Sequence, residues 1–122
     1  MIDPNKAIAQ LIAPVCPNVE LSFPKGCPEF PLTTVSVTTN RSEVVLDGRE
    51  RYSGLVIQLD VWDNEPTRER CYRTACAISE RMLYAGFTRE NTPDIEEDHL
   101  HRVSMTFRGT IDNKTFEVYE RS

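Results

Sequence analysis

The chain has 122 residues, of which 39% are hydrophobic and 27% charged, a size and composition that fit a single globular domain with one modest core. Its formal net charge of -5 argues against a protein that binds nucleic acid through a broad basic face. No apolar run approaches the roughly 20 residues that cross a bilayer, and the opening MIDPNKAIAQ lacks the regions of a signal peptide. We therefore expect one cytosolic domain over residues 1–122.

The N-terminal third predicts a short helix followed by two strands. Asp3 and Pro4 suit the N-cap and first turn of a helix, and Pro14 should end it. Alternating apolar residues over 19–23 predict a short strand, and the threonine- and valine-rich run 31–40, PLTTVSVTTN, favours a second one. The apolar face of the helix comprises Ile8, Leu11, Ile12 and Val15.

Charged residues crowd the segment 41–53, RSEVVLDGRERYS, around an apolar island at 44–46 and an Asp47-Gly48 turn signal. The pattern indicates a long hairpin arm or a mobile loop between two strands of a sheet. Two interpretations of this segment remain open. It is either a solvated connection without a role or an arm that becomes ordered against a partner. The charged residues that we assign to a candidate partner interface are Arg41, Glu43, Asp47, Arg49, Glu50 and Arg51.

The stretch 51–90 predicts a half-buried strand followed by a long amphipathic helix. Asp63 and Asn64 can cap this helix, Pro66 suits its first turn, and Gly86 is placed to end it in the left-handed conformation. Cys71 shares the apolar stripe of the helix. The candidate core residues of this unit are Leu55, Ile57, Leu59, Val61, Ala75, Ile78 and Met82.

The C-terminal third predicts an acidic loop and then a hairpin. The loop contains Asp94, Glu96, Glu97 and Asp98. Alternation over 101–108 and again around Val118, with a turn between them, predicts two antiparallel strands. The whole order predicts an α+β fold: a mixed, mainly antiparallel sheet of four to six strands, with two helices on one face and a long hairpin arm.

The cysteines Cys16, Cys27, Cys71 and Cys76 fit neither a zinc ribbon nor a disulfide framework by spacing. Cys71 and Cys76 lie five positions apart on the predicted helix, roughly 140° around its axis, and so point apart. We interpret the thiols as structural, in keeping with the behaviour of cysteine as a small buried hydrophobe.

His99 and His101 project to the same side of a strand, beside acidic residues, so a metal site is conceivable there. Two histidines beside an acidic run are more often part of a solvated edge. No G-x-S-x-G, P-loop or G-x-G-x-x-G motif occurs, so we expect no enzyme and no cofactor. A small cytosolic α+β enzyme or ligand-binding domain that uses the His99/His101 region stays as the alternative.

Trp62, Tyr72 and Tyr84 can be interpreted as core packing or as an aromatic binding stripe. Trp62 lies opposite the predicted core face of its strand, where a second subunit could meet the sheet. We therefore add Trp62 to the candidate partner interface.

Four segments carry a resemblance that covers nearly the full length of the chain. They are the first helix with PNVELSF, then FPLTTVSVT, then RYSGLVIQLDVWDN with the helix ending RMLYAGFTR, and last HRVSMTFRGTID with its final strand. The central strand follows the pattern Y-S-x-x-x-x-Q-x-D-V-W, and Gly86-Phe87 supplies a glycine-aromatic pair after the helix. In these features the chain resembles the small tail terminator (tail completion, head-tail joining) proteins of long-tailed bacteriophages. The pattern residues are Tyr52, Ser53, Gln58, Asp60, Val61 and Trp62.

The resemblance implies a structural virion protein that assembles into a homo-oligomeric ring, commonly six-fold. Such a ring caps the finished tail tube, ends its polymerisation and joins it to the head. The implied partners are the tail tube protein and the head-completion or connector protein, with DNA only as passing cargo. The implied location is the head-proximal end of the tail, and the host cytoplasm during assembly. The four cysteines depart from the pattern of the group. Our hypothesis is that the arm at 41–53 orders on docking.

Overall fold

The computed structural model describes residues 4–16, 18–21, 29–46, 49–90, 94–97, 100–112 and 118–119. Within these ranges the chain forms two helices and seven strands. In chain order they are α1 (Asn5–Ile12), β1 (Val19–Leu21), β2 (Leu32–Leu46), β3 (Arg49–Asp63), α2 (Glu69–Ala85), β4 (Thr88–Arg89), β5 (Asp94–Glu97), β6 (Leu100–Asp112) and β7 (Val118–Tyr119). No helix in these ranges is long and apolar enough to cross a membrane.

The strands form one mixed sheet in the order β1-β2-β3-β6-β4, and β5 and β7 also pair with β6. Only the β1–β2 pair is parallel among the pairings of the described residues. Since β3 occupies one edge of β6 from end to end, the short strands β4, β5 and β7 share its other edge. The prediction of an α+β fold with a mainly antiparallel sheet is confirmed.

The segment 41–53 lies in the long hairpin of β2 and β3, whose pairing continues to Leu46 opposite Arg49. Of the two interpretations of this segment, the hairpin is therefore the one observed, while Asp47 and Gly48 lie outside the described residues. The register skips Thr38 and Glu43 on β2 and Arg51 on β3. Such bulges bend a hairpin and increase its twist.

The core lies between one face of the sheet and the two helices. Every candidate core residue of the central strand-helix unit is at most 2% exposed. Facing side chains of β6, among them Val103, Met105 and Phe107, are buried in the same cluster, together with Ile8 and Ile12 of α1. Alternation therefore places one face of β3 and β6 under the helices and leaves the other face for polar residues.

Helix α1 has only eight residues and depends on packing, because so short a helix is marginal in water. Pro4 is its N-cap residue, and Asp3, which we expected there, lies outside the described residues. Arg81 Nε of α2 donates to the Leu11 carbonyl at 3.0 Å. This bond satisfies a carbonyl that the end of α1 leaves without a helical partner.

Helix α2 begins at Glu69 after Arg68 as N-cap, so the prediction that Asp63 or Asn64 caps it, with Pro66 in its first turn, is wrong. The Asp63 carboxylate instead accepts from the backbone N–H groups of Asn64 and Glu65. The chain thus makes a separate turn before the helix. The predicted glycine stop is confirmed, since Gly86 has φ 114°, a value that glycine adopts at little cost.

The acidic run, which we predicted to be a loop, contains a strand. Residues Asp94–Glu97 form β5 and pair with β6, Asp94 opposite Val103 and Glu97 opposite Leu100. Backbone pairing to a long central strand outweighs the low strand propensity of acidic residues. Charged residues on a short edge strand also discourage further strands from adding there.

Candidate functional site

The face of β2, β3 and β6 that points away from the helices is one candidate surface, and we name it the open face. Its residues follow from strand alternation and from the register of the three strands. They are Thr34, Ser36, Val56, Gln58, Asp60, Trp62, Arg102, Ser104, Thr106, Arg108 and Thr110.

A hydrogen-bonded trio lies at the middle of the open face. The amide of Gln58 donates to Asp60 Oδ1 at 3.1 Å and Oδ2 at 3.2 Å, and to Ser104 Oγ at 3.2 Å. Asp60 and Ser104 are opposite each other on neighbouring strands. The bonds hold Gln58 along the sheet, so this part of the face is polar and fixed in conformation.

Trp62 lies at the end of the open face that leads into α2. Its Nε1–H donates to Thr34 Oγ1 at 3.0 Å, and the guanidinium carbon of Arg102 is 5.1 Å from the ring centroid. This is within the range of a cation–π contact. Trp62 is only 3% exposed, so a partner that approached this end would meet Arg102 before the indole.

Asp63 and Arg70 form an ion pair with two hydrogen bonds. Arg70 Nε lies 2.7 Å from Asp63 Oδ2, and its Nη2 binds Oδ1. Burial alone would raise the pKa of the Asp63 carboxyl. The hydrogen bonds and charge of Arg70, with the N–H groups of Asn64 and Glu65, outweigh burial and hold that pKa below its usual 3.8. The pair ties the end of β3 to the first turn of α2.

Arg70 also meets Glu65 at 3.0 Å. These contacts explain why the pKa of Arg70 is raised: the Asp63 hydrogen bond stabilises the cation and more than offsets its partial desolvation. Every group here is occupied within the chain, so the pair is a structural link between two elements.

The thiols of Cys16 and Cys71 are buried, and Cys76 is exposed. Cys71 donates to the carbonyls of Val61 at 3.3 Å and His101 at 3.7 Å, which fastens α2 to the ends of β3 and β6. Cys16 accepts from Thr33 Oγ1 at 3.2 Å. Cys27 lies outside the described residues.

The two histidines of the alternative function are only partly described. His101 lies between Asp63 on β3 and Glu96 on β5 in the sheet register, and the Asp63 carboxylate is already bound by Arg70. His99 lies outside the described residues. The part of the chain that is described contains no group of three or more metal-ligating side chains.

The candidate partner interface falls at two separate places. Arg41 and Glu43 lie on β2, Asp47 is outside the described residues, and Arg49–Arg51 begin β3. Trp62 is at the other end of β3, roughly 35 Å away at the rise of a strand. Neither group reaches the other, so one partner would contact both only by spanning the whole length of β3.

Helix α2 presents a second exposed surface, which we name the helix face. It carries Tyr72, Leu83 and Tyr84 with exposures of 38%, 46% and 95%. The guanidinium carbon of Arg68 lies 5.9 Å from the Tyr72 ring centroid, and Arg73 is exposed beside them. Tyrosine and arginine are the residues that protein interfaces favour.

The contacts of Thr34, Arg102 and Ser104 on the open face were missed by the sequence analysis. Alternation alone could have grouped Gln58, Asp60 and Trp62, because residues two apart share one face of a strand. Their partners lie on β2 and β6, and no local pattern in the sequence identifies them.

The fold is similar to that of a chain from the virion of a native gene transfer agent particle, with a TM-score of 0.57. The two sequences are 16% identical, and the match covers 87% of this chain and 92% of that chain. A scan against protein-family models finds no match, and a search of curated proteins finds none either. The similarity therefore shows a shared fold.

Proposed function

We propose that the protein is a structural component of a phage-like virion. It caps the tail tube as a homo-oligomeric ring of six copies, ends tube polymerisation and provides the joint to the head connector. The observation that carries the proposal is the match to a virion chain over nearly the full length of both proteins. The sequence pattern from Tyr52 to Trp62 points to the same class independently.

The two edges of the sheet support assembly into a closed ring. Beyond Val35, no described strand pairs with the outer edge of β2, whereas the outer edge of β6 carries three short strands. Contacts between two unlike surfaces are heterologous, and such contacts close into rings when the rotation between neighbours permits. Because β5 is short and acidic, it should discourage further strands from adding at its edge. We therefore expect a neighbouring subunit to pair with the outer edge of β2 instead.

The distal hairpin supports a docking role. The pairing of β3 with β6 ends at Tyr52, whereas its pairing with β2 continues to Arg49. Three residues of β3, 49–51, and two of β2, Val45 and Leu46, therefore extend past the last pair of β3 with β6, by roughly 7 to 10 Å. We propose that this tip, with Arg49, Glu50 and Arg51, contacts the tail tube or the head connector. We also propose that the Trp62 end of the sheet, where Arg102 covers the indole, serves a separate contact.

Tail-tube polymerisation in vitro tests the proposal. Tube protein from the same source is polymerised with and without the purified chain, and tube lengths are measured by electron microscopy. We expect tubes to stop growing when the chain is added and to carry a ring at one end. Tubes that keep growing past a saturating amount of folded chain would contradict the proposal.

A further inference from the structure

The helix face of α2 carries two rows of exposed side chains. Tyr72, Cys76 and Leu83 form the first row, because they are four and seven residues apart on a helix that repeats about every 3.6 residues. Arg73 and Glu80 form the second row beside it, and both are exposed. Their spacing of seven residues is about 10.5 Å along the axis. The first row is largely apolar, and the second carries one charge of each sign.

The two charges of the second row are not used within the described part of the chain. No hydrogen bond or ion pair among the described residues involves Arg73 or Glu80. The flanks of α2 do make contacts: Arg81 donates to a carbonyl of α1, and Ser79 Oγ accepts from Arg89 of β4 at 2.9 Å. These contacts fasten the sides of the helix and leave its outward face, among the described residues, without a covering element.

The pattern of the two rows is complementary to itself. A two-fold axis that crosses α2 between Cys76 and Ala77 sets the helix antiparallel to α2 of a second copy. Arg73 of each copy then lies opposite Glu80 of the other, because the two residues are equally far from the axis on opposite sides. A parallel arrangement would instead bring each charge against its like, which is unfavourable. The charges therefore select an antiparallel second copy as the occupant of this face.

We infer that two copies of the free chain pair through their helix faces, with the α2 helices antiparallel. Each pair contains two Arg73–Glu80 contacts. In the neighbouring row, Tyr72 of one copy packs beside Leu83 of the other, since both lie on the same side of the charged row. Tyrosine next to an aliphatic side chain is a combination that protein interfaces favour.

The same pairing gives a neighbour to Tyr84, which is 95% exposed in the single chain. It lies opposite Glu69 of the other copy, at the same distance from the axis, and the carboxylate can accept from the phenol. One helix face is a small area, in the class of weak and reversible interfaces. We therefore expect pairs at high protein concentration and single chains in dilute solution. The contact closes at two copies and does not depend on the proposed ring.

Exchange of the two charges tests the pairing, by sedimentation equilibrium of the purified chain in reducing buffer over a range of concentrations. Arg73→Glu and Glu80→Arg each turn two attractive contacts into two repulsive ones, so each should weaken the association at least about tenfold. The variant with both substitutions restores opposite charges and should pair like the wild type. An equal mixture of the two single variants should also pair, because each supplies the charge that the other needs. Circular dichroism checks that every variant is folded.

Arg108→Glu is the matched control, because it changes the net charge as Arg73→Glu does but lies on the open face, on the other side of the sheet. It should pair like the wild type, and an equal loss of pairing would show that net charge and not the contact is responsible. Wild-type chains that stay single at the highest concentration would overturn the inference. So would single variants that pair as tightly as the wild type, or failure of both the double variant and the mixture to pair. These measurements use the free chain alone, so their failure leaves the proposed capping of tails untouched.

Discussion

Arg70 binds both carboxylate oxygens of Asp63 across the junction between β3 and α2. The Asp63 side chain is fully buried, whereas 37% of the Arg70 side chain is exposed. The carboxylate is therefore the partner that cannot turn to water if the contact is lost.

Arg70→Ala should lower the free energy of unfolding clearly, because the fully buried Asp63 carboxylate then loses its cation and two hydrogen bonds. Urea denaturation measures this change. The control is Arg73→Ala on the exposed side of the same helix, for which we expect a change within about 0.5 kcal/mol. Equal effects of the two substitutions on the free energy of unfolding would show that the Asp63–Arg70 pair contributes nothing to stability.

Acid should weaken the fold through Asp63. Its folded-state pKa lies below 3.8, so the unfolded chain takes up the proton first. The stabilisation is fully present above pH 3.8 and is lost as pH falls through the folded pKa. Urea titrations at a series of pH values should show a steeper acid loss of stability in the wild type than in Asp63→Asn. Parallel curves would contradict this assignment.

Removal of Arg102 should expose the indole of Trp62, which is the one tryptophan of the chain. In the wild type we expect blue-shifted emission and weak acrylamide quenching, because the ring is 3% exposed. Arg102→Ala should increase quenching and shift the emission to the red. Arg108→Ala, on the same strand but far from the ring, is the control. Unchanged quenching in Arg102→Ala would mean that other groups cover the indole.

The thiols should differ sharply in reactivity. In a Cys27→Ser background, an aromatic disulfide reagent should modify one thiol of the folded chain, Cys76, and three in denaturant. Burial protects Cys16 and Cys71 and keeps them structural. Rapid modification of all three thiols without denaturant would mean that α2 leaves the sheet readily.

The hairpin tip should matter for joining more than for folding. Arg49→Ala with Arg51→Ala should keep the wild-type circular dichroism and unfolding midpoint, yet abolish the joining of tails to heads. Lys6→Ala on the exposed side of α1 is the control and should join normally. If the double variant joined tails to heads normally, the proposed docking role of the tip would be wrong.

The strand-helix unit could be predicted from sequence because its signals are local. Period-two alternation, a helical stripe and Gly86 agree with one another, and the structure buries the expected face. The helix start could not be predicted, because Asp63 is as suitable for a cap as for an ion pair with Arg70, seven residues ahead. The backbone conformation of the turn between Asp63 and the helix decides which of these two roles Asp63 takes.

The open face was partly predictable in the same sense. The alternation of Gln58, Asp60 and Trp62 indicates a shared face. Ser104 and Thr34, which bond to them, lie far along the chain, and strand order and register bring them close. The acidic strand β5 likewise depends on its nonlocal pairing with β6.

The most direct test of the proposed capping role adds the purified chain to completed tails that lack it and images their tips by electron microscopy. We expect a discrete extra ring at the head-proximal end and tails that then join heads. Bare tips with tails of normal length, in the presence of folded chain, would contradict the capping role.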